Sequence, residues 1–257
     1  MTAFARAVTT TEGKGTIEES WYQGRGAFGG VMTALLLREM QAKVADAERI
    51  PRSITTHFCA PATAGPMEVK TEILRSGSRV THATARVVRD GETMTYGSAS
   101  FAKARSGPSY SNAKMPDVAP ASALRDFPRI PGTPAFFEHV EARFTGEHFP
   151  FTGSTTPEVN AWVRLREPEA VDAAVIAFLL DALPPAITST FSAPRAVASV
   201  EFNVQFFDAH RAGKADEFHL VAIRSRWAGD GYTEELRDLW TAEGVLVGQC
   251  RQLLALL

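Results

Sequence analysis

The apolar positions of this chain follow one sequence of periods, and that sequence occurs twice. A short strand-like stretch at 15–23 leads into an apolar helical run from 28 to about 44. Strand-like segments rich in alternation follow at 53–58, 67–75, 80–90 and 93–103. The second passage has a strand at 159–166 and a helix around 170–183, then strands at 198–207, 217–227, 236–241 and 244–254. A helix followed by consecutive strands predicts an α+β fold, with the helix packed on one face of an antiparallel sheet. The repeat predicts two such units. In the first helix Val31, Met32, Ala34, Leu35, Leu36 and Leu37 leave almost no polar face, so it is expected inside a curling sheet. The second helix places Val171, Ala174, Val175, Phe178, Leu179 and Ala182 on one stripe, and Pro184-Pro185 ends it. Asp90-Gly91 is a hairpin signal, and Glu243-Gly244 a weaker echo of it.

Residues 107–134 break the pattern. They carry six of the 15 prolines and no sustained period, which disfavours helix and central strand alike. This stretch is read as a linker crossing the surface between a unit at 1–106 and a unit at 135–257.

Composition narrows the partners. With 257 residues, two units of about a hundred residues can each bury a core. The 27 Lys+Arg nearly balance the 29 Asp+Glu, giving no electrostatic reason to expect nucleic acid or a membrane surface as partner. Cys59 and Cys250 lie far apart without a CxxC, which fits a reduced, cytoplasmic setting. Residues 1–11 lack the charged start and apolar run of a signal peptide. The best apolar run, 173–180, stops at Asp181 and falls short of the ~18–20 residues of a membrane span.

Few motifs carry chemistry. Gly24-Arg25-Gly26-Ala27-Phe28-Gly29 reads GxGxxG, but strand after strand follows its helix, so the βαβ context of a dinucleotide site is missing. A tight turn opening a buried helix is the plain reading. Free N–H groups at that helix start also make an anion or oxyanion site available. Asp181 lies on the flank of the second helix's apolar stripe, where a partly desolvated carboxylate must be compensated or used. A solvated last-turn Asp is the alternative, which the helix dipole disfavours. Ser199 and Gln252 taken alone are ordinary strand residues. The six histidines show no metal spacing, His57 and Cys59 being two ligands short of a site, and there is no GxSxG elbow. Arg25, Arg75, Arg79 and Arg226 near predicted turns are candidate phosphate contacts, against the commoner solvated arginine.

The run Arg25-Gly26-Ala27-Phe28-Gly29-Gly30 after Trp21 resembles the acyl-CoA thioesterase II family of double-hotdog enzymes. So do His57-Phe58-Cys59-Ala60-Pro61, Ile73-Leu74-Arg75-Ser76-Gly77-Ser78-Arg79 and Thr95-Tyr96-Gly97-Ser98-Ala99-Ser100-Phe101. The resemblance implies a double hotdog, each repeat a helix wrapped by an antiparallel sheet, that cleaves an acyl-CoA thioester with water. In that family an Asp, a Thr or Ser and a Gln of the second hotdog activate the water. These fall here on Asp181, on Ser199 before Val200-Glu201, and on Gln252, eight residues after Gly244. Phe28, Gly29, Gly30 and Arg79 are the expected substrate contacts. Departures are Phe202-Asn203-Val204 where the family has His, Trp and His, Leu253-Leu254 where it has Glu-Gly, and Ser199 for the commoner Thr. They bear on the acyl group and rate more than on the fold.

A thioester carbonyl is electrophilic and a thiolate leaves readily, so no metal or other cofactor is expected. The chemistry asks for a positioned water, a base and an oxyanion donor. The Gly29–Gly30 helix start is the expected donor. A non-catalytic acyl-CoA binder is one alternative. A hotdog enoyl-CoA hydratase is a weaker one, since Asp181 lacks a His about five residues on. Exposed sheet edges imply a homodimer or larger homo-oligomer.

Overall fold

The computed structural model describes residues 1–146, 148–207, 213–214 and 216–257. The first half runs α1 (Ala3–Ala7), β1 (Lys14–Ile17), β2 (Tyr22–Gln23), β3 (Gly26–Ala27), α2 (Gly29–Val44), β4 (Ile50–Phe58), β5 (Gly65–Ser76), β6 (Val80–Arg89) and β7 (Glu92–Ala102). The second half runs β8 (Val140–Phe144), β9 (Glu158–Leu165), α3 (Ala173–Asp181), β10 (Val197–Phe206), β11 (His219–Arg224), β12 (Ala228–Gly229), β13 (Tyr232–Trp240) and β14 (Leu246–Leu256).

One sheet carries both halves in the order β1-β5-β6-β7-β4-β10-β14-β13-β11-β9-β8, with β12 paired to β13. Every pairing in it is antiparallel among the described residues. The halves join edge to edge at β4 and β10, where Glu201 faces His57 and Gln205 faces Ser53. Outward from that seam, β4-β7-β6-β5-β1 is mirrored by β10-β14-β13-β11-β9. This is a double hotdog: each half wraps its sheet around one helix, and the two are related by a pseudo-twofold axis at the seam.

The helices form where the sequence leaves them no other stable place. Leu35, Leu36 and Leu37 of α2 are at most 1 % exposed, and burial of each contributes about 1.5–3 kcal/mol. Ala45, in the left-handed region at φ 51°, ends α2. The Asp172 carboxylate caps α3 by accepting from the N–H groups of Ala174 and Val175, each at 3.0 Å. α2 and α3 pack on each other beneath the sheet, in a core that is continuous through both halves. The Asp90-Gly91 turn joins β6 and β7 with φ 50° and 84°, as a type I′ hairpin requires.

Several features differ from the sequence reading. α1 was not expected: its five residues carry no period, and it is held because Phe4 packs edge-on to Trp21 and Phe178. β8 has no counterpart in the first half. β11 covers 219–224 rather than 217–227, and β13 begins at Tyr232 rather than at 236. Ala173–Thr190 does average a hydropathy of 1.5 over 18 residues, because apolar residues resume after Asp181. It is 83 % buried as α3 and the 3-10 turn Ala186–Thr190. Between 107 and 134 the one regular element is the 3-10 turn Ala121–Ala123. There Met115, Val118, Ala121 and Leu124 lie over Trp162, Leu220 and Trp240, and the Trp162 indole donates to the Ala119 carbonyl at 2.9 Å.

Candidate active site

The start of α2, the end of α3 and strands β10, β13 and β14 meet around a cavity of about 370 Å³. That is within the ~300–1,000 Å³ of small-molecule sites. Asp181, Ser199, Gln252 and Arg237 form its polar end, Met32, Phe58, Leu183 and Leu254 its apolar wall, and Arg25 and Cys59 line it as well.

Each polar side chain is aimed by its own element. Asp181 closes α3 and is 6 % exposed. Gln252 lies on the inner face of β14 with Cys250 and Leu254, and is 2 % exposed. Ser199 owes its direction to a β-bulge. Phe202, Val204 and Phe206 face inward on β10, so strict alternation would turn Val200 inward too. The register shifts between Ser199 and Glu201, leaving Val200 as the extra, exposed residue and turning Ser199 toward Leu254 and Gln252. Gln252 Nε2 donates to Ser199 Oγ at 2.5 Å and to Asp181 Oδ1 at 3.4 Å. Gln252 Oε1 is buried with no hydrogen-bond partner among the described residues.

Burial pushes the Asp181 carboxyl up to about 6, against the opposing pull of Arg237, Gln252 and the Gly30 N–H. Glu235 on β13 adds to the upward push. Burial also raises Glu235, and it keeps the Cys250 thiol well above its ordinary value. Arg237 and Glu235 are 1 % and 0 % exposed and joined by hydrogen bonds of 2.9 and 3.2 Å.

Of the residues expected from sequence, Asp181, Ser199, Gln252 and Gly29 come together at the cavity. Gly29 is required there: a Cβ would fall 2.8 Å from the Phe58 ring and 2.9 Å from Asp181 Oδ2. The Gly30 N–H, expected to serve an oxyanion, faces the Asp181 carboxylate instead, because the start of α2 points at the end of α3. Phe28 does not line the cavity. Its ring is fully buried, stacked 3.9 Å from Phe136 and edge-on to Phe178. Arg79 does not line it either. It sits in the β5–β6 turn beside Arg75, His82 and Arg105, its carbonyl accepting from the Lys103 N–H just past β7, and so near the other end of β7 from the cavity residue Thr95. Of the candidate arginines only Arg25 lines the cavity. His57 is half-exposed on β4, 3.9 Å from Glu201. Among the described residues no three His, Cys, Asp or Glu side chains are placed to share a metal, and His210 lies outside them.

Glu235 and Arg237 were not anticipated. The polar run Thr233-Glu234-Glu235 hides which face of β13 is inner, and a strand begun at 236 leaves Glu235 out. Counting back by twos from the apolar Leu239 would have put both inside.

Residues 115–256 match the acyl-CoA thioesterase C-terminal domain, and residues 17–102 match the acyl-CoA thioesterase N-terminal domain. A conserved protein of unknown function with a hot dog fold from Alicyclobacillus acidocaldarius is 26 % identical, with a TM-score of 0.90 over 100 % of this chain and 98 % of that one. An acyl-CoA thioesterase II, TesB2, from Mycobacterium marinum is 19 % identical, with a TM-score of 0.78 over 99 % and 98 %. The tesB protein of Mycobacterium avium subs. paratuberculosis is 17 % identical, with a TM-score of 0.77 over 98 % and 97 %. No curated protein sequence matches the chain. The two domain matches place the chain in the acyl-CoA thioesterase family. It is a thioester hydrolase.

Proposed function

We propose that this protein hydrolyses its acyl-CoA by activating one water between Asp181, Ser199 and Gln252. One observation carries this reading: side chains from α3, β10 and β14 converge on one cavity, with Gln252 bridging the other two. Because Ser199 Oγ accepts from Gln252, its own hydrogen is free to donate to the water. Gln252 braces Ser199 and Asp181 about the water through its amide nitrogen, and Asp181 takes one of the water's protons. The hydroxide formed attacks the thioester carbonyl. The tetrahedral intermediate then expels the CoA sulfur, which takes the proton held by Asp181, leaving free acid and free thiol. With the Gly30 N–H engaged by Asp181, the Gly29 N–H is the α2 donor left for the oxyanion.

In the division taken from the sequence, the unit at 135–257 supplies the three catalytic side chains. The unit at 1–106 supplies the facing wall of Gly29, Met32 and Phe58. The protein forms a homodimer or larger homo-oligomer, because β1 ends the sheet on an edge that association covers, whereas the opposite edge, β8, is partly covered by Asp126 and Phe127 against Ala142. A monomer mass by light scattering at micromolar concentration would count against that part.

Single-turnover hydrolysis of acyl-CoA substrates in H₂¹⁸O, with thiol release followed in parallel, tests the water-activation step. Label in the acid from the first turnover is expected. An unlabelled first-turnover acid, with the label retained on Asp181, would show direct attack by the carboxylate and overturn the scheme.

A further inference from the structure

A buried ion cluster stands behind the catalytic residues. Thr233, Glu235, Arg237 and Leu239 occupy the inner face of β13, and all are buried. The Glu235 carboxylate accepts from Arg237 Nε and Nη2, and the Ala186 and Ile187 N–H groups favour its charged form. Arg237 Nη1 donates to the Leu180 carbonyl at 3.0 Å, one of the groups that the end of α3 leaves without helical partners, and to the Leu183 carbonyl just beyond the helix at 3.3 Å. The same Nη1 lies 3.6 Å from Asp181 Oδ1. Burying two carboxylates and a guanidinium is a poor way to gain stability, since apolar residues of similar volume serve as well or better. The cluster sits where charge is otherwise hard to keep. Asp181 is at the C-terminal end of α3, whose dipole opposes a negative group.

We propose that Arg237 is the positioning residue of this site: clamped by Glu235, it caps α3 and holds the Asp181 carboxylate charged and aimed into the cavity. This rests on Asp181 being the base. Facing Asp181 are the Gly30 N–H of α2, Ser199 of β10, Gln252 and the neutral Cys250 thiol of β14, and Glu235 and Arg237 of β13. Arg25 and Cys59 line the same cavity. The two charges of β13 act on Asp181 with opposite signs, Arg237 favouring the carboxylate and Glu235 opposing it.

The test is the pH dependence of kcat/KM for the wild type and for Arg237→Gln, Arg237→Lys and Glu235→Gln. Asp181 ionisation is followed separately by infrared difference titration against Asp181→Asn. Arg237→Gln is expected to move the acid limb upward by about one pH unit or more, with activity recovering above it, as loss of a nearby counter-charge does. Arg237→Lys should stay near the wild type, and Glu235→Gln should move the limb downward. If Arg237→Gln does not fold, Glu235→Gln and Arg237→Lys decide the matter. Activity reduced equally at every pH, with neither the limb nor the infrared titration moved, would overturn the assignment. If the infrared titration moved while the rate limb did not, Arg237 would keep its role and the reading of Asp181 as base would fall.

Discussion

At the scale of single residues, the site is a compromise between burial and charge. Asp181 titrates at about 6 instead of 3.8 because it is buried, so its ionised form works against folding. A carboxyl raised in the folded state contributes stability that is complete below its unfolded value near 3.8 and is lost as pH rises through about 6. Asp181→Asn should therefore be more stable than the wild type at pH 8, by on the order of 2–3 kcal/mol. That advantage should vanish below about pH 4, and urea unfolding at the two pH values checks it. The other two side chains lend hydrogen bonds. Ser199→Ala should slow turnover by an amount worth about 1–3 kcal/mol, and Ser199→Thr should be tolerated. Gln252→Ala should fall between Ser199→Ala and Asp181→Asn. Combined with Asp181→Asn, neither alanine change should add its full effect, because in the proposed scheme all three residues act on one water. Asp181 was legible as a carboxylate on an apolar flank, whereas Ser199 and Gln252 became legible only through family resemblance. Nothing in a strand's own sequence says that a serine two residues from its start will be turned inward by a bulge at Val200.

At the scale of elements, the site depends on how closely the start of α2 approaches the end of α3. Gly29 and Gly30 permit that approach in different ways. A Cβ on Gly29 would press on Asp181 Oδ2 and the Phe58 ring, so Gly29→Ala should lower kcat/KM strongly while the protein stays folded. A Cβ on Gly30 would fall 2.6 Å from a Phe28 ring that is stacked on Phe136 and cannot yield. Gly30→Ala should therefore destabilise by about 1–3 kcal/mol through overpacking. Thermal unfolding beside steady-state kinetics separates the two cases. α2, α3 and most strands were readable from period and punctuation, since Pro184-Pro185 and Asp90-Gly91 act locally. α1 and β8 were not, because tertiary contacts rather than local pattern hold them: Phe4 against Trp21 and Phe178, and the β9 ladder. Arg79 was misplaced for the same reason. A turn arginine reads alike at either end of a sheet, and only the topology puts it away from the cavity.

At the scale of the whole molecule, two similar halves have unlike tasks. The first provides a close-packed helix start, and the second provides the polar residues and the buried ion cluster. The proline-rich connection is also part of the fold, since it shields Trp162 and Trp240 on the outer face of the second half. Replacing Val118 and Leu124 together by Ser should cost on the order of 1–2 kcal/mol per residue in lost burial. Trp fluorescence should shift to the red as the two indoles meet water, and hydrolysis should persist, because the cavity lies on the inner face. The repeat made the double architecture readable from sequence. The packing of the linker was not readable, as prolines mark where regular structure stops without saying what the chain then covers. Whether Asp181 is the base of a water-activating site is decided by the turnover of folded Asp181→Asn. This variant is expected to bind acyl-CoA as the wild type does and to release thiol about 10²–10⁴ times more slowly. A folded Asp181→Asn enzyme that binds acyl-CoA and releases thiol at the wild-type rate would show that Asp181 is not the base.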